Sequence, residues 1–410
     1  MIRKVFLALT LLLPAFATID IIQTNAPLSK IAVESYTDGT VSQFEQNQVD
    51  AMLLNDIKVS DHMEAIANPF KNGFDKTPSG SELKKAGIEL LLKYKLSKNQ
   101  RGFGLELKII DPAKAMPTTI RFSVPDFKEY PFLSHNVAVS VNDYLKAPSI
   151  DWMKNFVLLA KDLGPKKSDI VIADYTLTYQ KTLISGGYNV FPKWSAGQSE
   201  LYYTAYEKNL VLYRYNIYSG KKTRVLSSEG MLICSDVSRD GSKLLITMPS
   251  GALPDIFLYD VRTGSKTDLT NFAGIDVNGN FIENEQKIAF VSDRLGYPTV
   301  FTKPINSAAV EQLIFSPKYN SSFSARNDLL AYAGRDSEGT NLYLVNTKNG
   351  QKRQITASGH NSSPRISNAG DAIMFFKNEK GRTYLGIFRL NSSSTFLFPM
   401  NLGRIKSLDW

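Results

Sequence analysis

Five times between residues 178 and 393 the chain restarts one short strand-and-turn phrase, and that repeat restricts the fold more than any other feature. The clearest copy is Ile256-Phe257-Leu258-Tyr259-Asp260-Val261-Arg262-Thr263-Gly264, followed by a polar run and Leu269-Thr270. It returns as Leu342 to Gly350, closing on Ile355-Thr356, and as Leu212 to Gly220, closing on Val225-Leu226. Weaker copies surround Thr178, Ala308 and Ser393. The turn positions 178, 220, 264, 308, 350 and 393 are spaced by 42, 44, 44, 42 and 43 residues. A period of about 40–45 residues built from short strands predicts a β-propeller with one four-stranded blade per repeat.

A second turn signal runs out of phase with the first. Trp194-Ser195-Ala196-Gly197, Val237-Ser238-Arg239-Asp240-Gly241, Phe281 to Asn284, Phe323 to Asn327 and Ile366 to Gly370 each precede an apolar run such as Leu244-Leu245-Ile246. Gly, Asn and Asp tolerate the positive φ of tight hairpin turns, and β-branched and aromatic flanks suit a pleated face. Two turns per repeat give the order strand A, turn, strand B, loop, strand C, turn, strand D. The first repeat holds strands B, C and D (Phe156–Ala160, Asp169–Tyr175, Gln180–Ser185) without a strand A, while Ile405 to Trp410 is a strand A without a blade. Trp410 stands 44 residues after Ile366, in series with Trp194, Val237, Phe281 and Phe323. The C-terminus is therefore expected to supply the missing inner strand, closing a ring of six blades over residues 150–410 and removing both open edges.

A chain of 410 residues favours two domains, and 43% hydrophobic with 21% charged residues leaves no tract whose composition demands disorder. The net charge of +9 is spread thinly, with no basic stripe interleaved with aromatics, so nucleic acid is not an expected partner. Arg3-Lys4, the apolar run Val5 to Leu13, and Ala15-Phe16-Ala17 read as a secretory signal peptide over residues 1–17. Cys234 is the single cysteine, which excludes an intramolecular disulfide and suits a buried packing residue on a strand A.

Residues 30–147 read as a separate α+β unit. Lys30–Val33 and Met63–Ile66 suggest strands around a helix over 41–56; Ser81 is expected to cap a short helix from Glu82 to Ala86. Ile88–Lys98 and Gly102–Asp111 suggest a hairpin, Thr118–Val124 another strand, and Pro131–Leu145 a closing helix before the linker Lys146-Ala147-Pro148-Ser149. Residues 18–29, with Ile19, Asp20, Ile21 and Ile22, form a short arm that is either a frayed end or a docking strand. The expected fold class is an all-β six-bladed β-propeller preceded by a smaller α+β domain.

Sites of chemistry are scarce. The histidines are His62, His135 and His360, with no HExxH helix, GxSxG elbow or phosphate-binding glycine loop, so no catalytic, metal or cofactor site is expected. Asp240 and Asp260 recur at turn positions and read as turn formers. An enzymatic propeller would have only Asp236, Asp276 and Asp409 on the inner strands to work with, and a small-ligand-binding propeller would need channel-facing aromatics.

Pro192-Lys193-Trp194-Ser195, Ser238 to Leu244, Ile288-Ala289-Phe290-Val291-Ser292-Asp293-Arg294 with Gly296 and Pro298, and Asp255 to Thr270 resemble the blade phrases of the TolB family. The resemblance covers the whole mature chain, which departs from the family in keeping no SPDG turn intact and in having Ala308 and Ser393 where the repeat favours Gly. It implies a monomeric, non-enzymatic scaffold in the periplasm, part of the Tol–Pal system that supports outer-membrane integrity and constriction at cell division. It further implies that the lipoprotein Pal binds at one mouth of the propeller, and that the arm engages the C-terminal domain of TolA. The Pal contacts implied lie on the D-to-A loops, at Met231, Leu232, Tyr319, His360 and Asn361; those for TolA are Ile19, Asp20, Ile21 and Ile22.

Overall fold

The computed structural model describes residues 27–337 and 339–410. The signal peptide and the arm residues Ile19, Asp20, Ile21 and Ile22 lie outside the described residues. The chain enters through β1 (Ser29–Thr37), α1 (Gln43–Ser60) and β2 (Met63–Ile66). It continues through α2 (Gly80–Lys85), β3 (Leu90–Asn99), β4 (Gly102–Ile110), β5 (Thr118–Val124) and α3 (Tyr130–Tyr144). The strands form one sheet in the order β2-β1-β3-β4-β5, with β1 parallel to β2 and β3, and the β3–β4–β5 run antiparallel.

Local chemistry sets the helix ends. The Ser42 hydroxyl accepts the Glu45 N–H while the Glu45 carboxylate accepts the Ser42 N–H, so α1 starts at Gln43 and not at Val41. The same reciprocal pair forms between Ser79 and Glu82, which makes Ser79 the cap of α2 in place of Ser81. Serine three residues before glutamate was the signal, and Ser81 does not satisfy it. Pro131 lies at the first turn of α3, where its missing N–H costs nothing. Helices α1 and α3 bury Val49, Leu53, Ile57, Leu133, Val137 and Val141 against the sheet, while Leu83 of α2 meets Ala32, Leu91 and Ile110 on its other side.

The propeller has six blades of four antiparallel strands. Blade 2 runs Tyr188–Trp194, Glu200–Tyr206, Leu210–Asn216 and Lys222–Ser228. The A strands of blades 3 to 6 are Ile233–Val237, Asp276–Ile282, Tyr319–Arg326 and His360–Ile366. Strands B and C carry facing aromatic pairs, Tyr203–Tyr213, Phe290–Phe301 and Tyr332–Tyr343, which fill the blade interiors. Outer strands of blades 3 to 5 shrink to Lys266–Asp268, Glu311–Gln312 and Lys352–Gln354, leaving little exposed edge. The repeat-locked acids do make turns: Asp240 Oδ1 accepts the Ser242 N–H and Asp260 Oδ1 those of Arg262 and Thr263; the amide of Asn346 does the same for Lys348 and Asn349, and Gly264 and Gly350 follow at φ 74° and 70°.

The ring closes as the repeat count requires. Blade 1 takes Val157–Gly164, Lys167–Ala173 and Gln180–Ile184 from its start, and Ile405–Asp409 from the C-terminus as its strand A. Leu408 pairs with Leu159 and Asp409 with Leu158, and the buried Trp410 ring meets Trp152 edge-on with centroids 5.4 Å apart. Antiparallel order puts all D-to-A loops and B–C turns on one face of the disc and all A–B and C–D turns on the other. The α+β domain docks on the second face at blades 1 and 6, where Tyr175, Leu177, Leu385, Trp152 and Trp410 join the core of α1 and α3.

Candidate partner-docking face

The D-to-A loops leave the first face free, and its side chains divide sharply between packed and exposed. Met231 is 43% and Tyr319 56% exposed, and His360 also stands in solvent. Tyr319 and His360 line one groove of about 530 Å³ between blades 5 and 6, together with Arg335, Thr340 and Ser362. Met231 lines a neighbouring cavity of about 290 Å³ at the channel mouth with Phe191, Lys193 and Arg365. Ser322 borders both, so these three residues share a continuous surface.

Two of the expected contacts are not on that surface. Leu232 is 1% exposed and packs among Cys234, Leu244 and Ile246; its carbonyl accepts the Thr204 hydroxyl at 2.7 Å. Asn361 is fully buried, and its amide donates to the carbonyls of Thr340 at 3.1 Å and Ser358 at 2.9 Å. Asn189 and Asn320 make equivalent clamps onto Gly186 and Pro317, so this asparagine fastens the D-to-A loop of its blade. Its recurrence at the blade period was the missed signal: a residue needed by the repeat is a part of the scaffold. The arm residues Ile19, Asp20, Ile21 and Ile22 lie outside the described residues.

Sequence reading missed most of the exposed apolar surface here. Ile275 and Phe315 join Met231 on the D-to-A loops, beside Tyr319 at the first position of a strand A; Leu163, Tyr206, Leu253 and Leu295 stand at the B–C ends, and Phe191 faces the channel. These nine are most of the fifteen large apolar side chains exposed among the described residues. Apolar residues at hairpin ends, where polar ones are the norm, were the available signal. Lys166, Arg404 and Lys406 add positive charge around a hollow of about 660 Å³ beside Tyr188 and Tyr206.

The inner-strand acids are paired deeper in the channel. Asp409 lies 3.2 Å from Lys193 Nζ and 3.4 Å from Arg365 Nε, and it accepts the Trp194 N–H at 2.9 Å. Asp236 lies 3.4 Å from Lys193 and accepts the Phe281 N–H at 2.9 Å. Burial alone would lower the Lys193 pKa, but Asp409 and Asp236 outweigh it and hold the ammonium above the ordinary lysine range. Asp276 is fully buried against Arg294 at 3.0 Å, with burial raising its pKa. Each acid is tied to a cation or to the backbone of another blade, which suits bracing of the ring and leaves no free carboxylate pair.

Comparison with known proteins agrees with this geometry. A family profile described as the TolB beta propeller domain matches residues 155–410. The chain belongs to the TolB family. It is 39% identical over 415 residues to the Tol-Pal system protein TolB of Wolinella succinogenes, covering 99% of this chain and 98% of that one. The Tol-Pal system protein TolB of Campylobacter jejuni strain RM1221 is 39% identical over 399 residues, 96% of this chain and 95% of its own. Among solved structures, TolB from Acinetobacter baumannii superimposes with a TM-score of 0.77 over 93% of this chain and 96% of its own, at 20% identity, which bears on the fold alone. TolB proteins are non-enzymatic scaffolds, and membership gives this chain a role in the Tol–Pal system. Among the described residues no helix is long and apolar enough to cross a membrane.

Proposed function

We propose that the chain is a periplasmic scaffold of the Tol–Pal system that binds the lipoprotein Pal on the D-to-A loop face of its propeller. In this reading the N-terminal arm engages the C-terminal domain of TolA, and the two contacts support outer-membrane integrity and constriction at division. One observation carries the Pal half: exposed apolar side chains gather around the channel mouth on the face that the α+β domain leaves free. Scattered exposed apolar residues need no explanation, but a one-sided concentration marks an interaction surface.

Binding energy concentrates in a few central anchors. A combined Met231→Ala, Tyr319→Ala, His360→Ala variant, measured by calorimetry against purified Pal, is expected to lose about 2 kcal/mol or more of binding at unchanged stability. Full retention of Pal binding would move the site to another face. Removing residues 18–25 is expected to abolish TolA capture while leaving Pal binding intact, and unchanged TolA affinity would reduce the arm to a plain terminus.

A further inference from the structure

Two of the three histidines lie in the seam between the α+β domain and the propeller, and their partners demand different protonation states, one cationic and one neutral. His135, on α3, is fully buried. Its Nδ1 lies 2.9 Å from Asp56 Oδ2 of α1, and its Nε2 lies 3.3 Å from Asp174 Oδ2 in the C–D turn of blade 1. A carboxylate oxygen can only accept, so each ring nitrogen facing one carries a proton, and the ring is an imidazolium. The remaining valences are filled: Asp56 Oδ1 accepts the Tyr175 hydroxyl at 2.5 Å, and Asp174 accepts the N–H groups of Thr176 at 2.8 Å and Tyr179 at 2.6 Å.

His62 sits between α1 and β2, and its Nε2 lies 3.4 Å from a terminal nitrogen of Arg389 at the end of strand C in blade 6. A guanidinium can only donate, so this imidazole nitrogen offers its lone pair and the ring is neutral. Arg389 is itself fully buried, over the Trp152 ring at 5.4 Å and with Asp371 3.8 Å away as its counter-charge. The Ser29 N–H donates to the His62 carbonyl at 3.0 Å, so the chain preceding β1 emerges at this end of the seam.

We propose that the domain seam is closed by this pair of histidines, one cationic and one neutral, so that docking of the α+β domain onto the propeller has an optimum in pH and weakens on both sides of it. Loss of the His135 proton leaves Asp56 and Asp174 facing each other in a dry site. Gain of one by His62 sets a cation against Arg389.

The signs follow from linkage. For His135, burial lowers the pKa, but Asp56 and Asp174 outweigh it and raise the pKa from 6.5 to about 9. Its contribution is present in full below pH 6.5 and is lost as pH rises through about 9. For His62, burial lowers the pKa from 6.5, Arg389 lowers it further, and Asp61 and Asp371 oppose them without prevailing. Its contribution is present above pH 6.5 and is lost as pH falls toward the depressed value. Burial also raises the Asp56 pKa, which adds to proton uptake on docking and acts in the same direction as His135. Tyr175, and Tyr130 on His135's own helix, have pKa values raised by burial and stay neutral across this range.

The test is limited proteolysis of the mature protein at the linker, residues 146–149, across the pH range, corrected for intrinsic protease activity with an unfolded substrate. When reclosing is fast, cleavage tracks the open population. The cleavage rate is expected to be lowest near pH 6.5, to rise up to about tenfold for each pH unit between 6.5 and about 9 before levelling off, and to rise again as pH falls below 6.5. His135→Gln should flatten the alkaline limb and leave the acid one; His62→Gln should do the reverse. A His135→Gln protein that keeps a full alkaline limb overturns the proposal. Should either variant fail to fold, the ring nitrogen signals of histidine-labelled wild-type protein decide: His135 must show two protonated nitrogens and His62 one bare nitrogen at neutral pH, and the opposite pattern overturns it.

Discussion

On the face of the propeller that carries the D-to-A loops and B–C turns, eight large apolar side chains stand in solvent, with Phe191 exposed in the channel beside them; on the opposite face only Tyr218 does among the described residues. Both faces are made of tight turns joining strands of the same sheets, so the fold itself does not require apolar exposure. The C–D turns show what suffices: Asn216, Asp260 and Asn346 satisfy the turn amides with their own side chains, and Gly220, Gly264 and Gly350 take the left-handed φ. The second face also buries apolar surface, but against the protein's own α+β domain. One face has its partner built in, and the other is shaped for a partner from outside.

The largest expected effect breaks the disc on which both faces depend. Deleting Ile405 to Trp410 strips the inner strand from blade 1, removes the Leu408 and Trp410 packing and leaves Lys193 and Arg365 without Asp409. The truncation is expected to lose about 5 kcal/mol or more and to aggregate through the opened edge. Chemical denaturation with light scattering reads both, and a monomeric truncation that melts with the full chain would refute closure.

A sharper cut separates two neighbours in one loop. Leu232→Ala empties a packed site among Cys234, Leu244 and Ile246 and should cost about 2–5 kcal/mol of stability. Met231→Ala, one residue away and exposed, should stay within about 0.5 kcal/mol of wild type while weakening Pal binding. Urea denaturation and calorimetry on both variants check the pair, and equal stability losses would erase the distinction between scaffold and docking residues.

That pair also marks where sequence reading stops. Blade number, ring closure by the C-terminal strand and the α+β unit were legible because turns punctuate strands at a fixed period and strand alternation is local. The direction of a loop side chain is not periodic: Met231 points out and Leu232 in because the chain bends there onto the blade 2–3 interface, a tertiary fact. Asn361 misled for the opposite reason. It looked like a loop polar residue at a mouth, but Asn189 and Asn320 at equivalent positions already mark it as a clamp. The pairing of His135 with Asp174 joins residues from two domains, and no local pattern announces it.

The smallest expected effect tests whether exposure alone means anything. Tyr218, in the C–D turn of blade 2, is 80% exposed, and Phe315, in the D-to-A loop before blade 5, is 71% exposed. Neither ring has much packing to lose, so Tyr218→Ala and Phe315→Ala should each change stability by less than about 0.5 kcal/mol. The comparison of faces separates them in binding: Phe315→Ala should weaken Pal measurably, and Tyr218→Ala should leave it unchanged. Titration calorimetry of the two variants side by side reads the difference. Equal effects on Pal would mean that the apolar side chains of the loop face are ordinary surface, and the docking site would have to be carried by its grooves and charges instead.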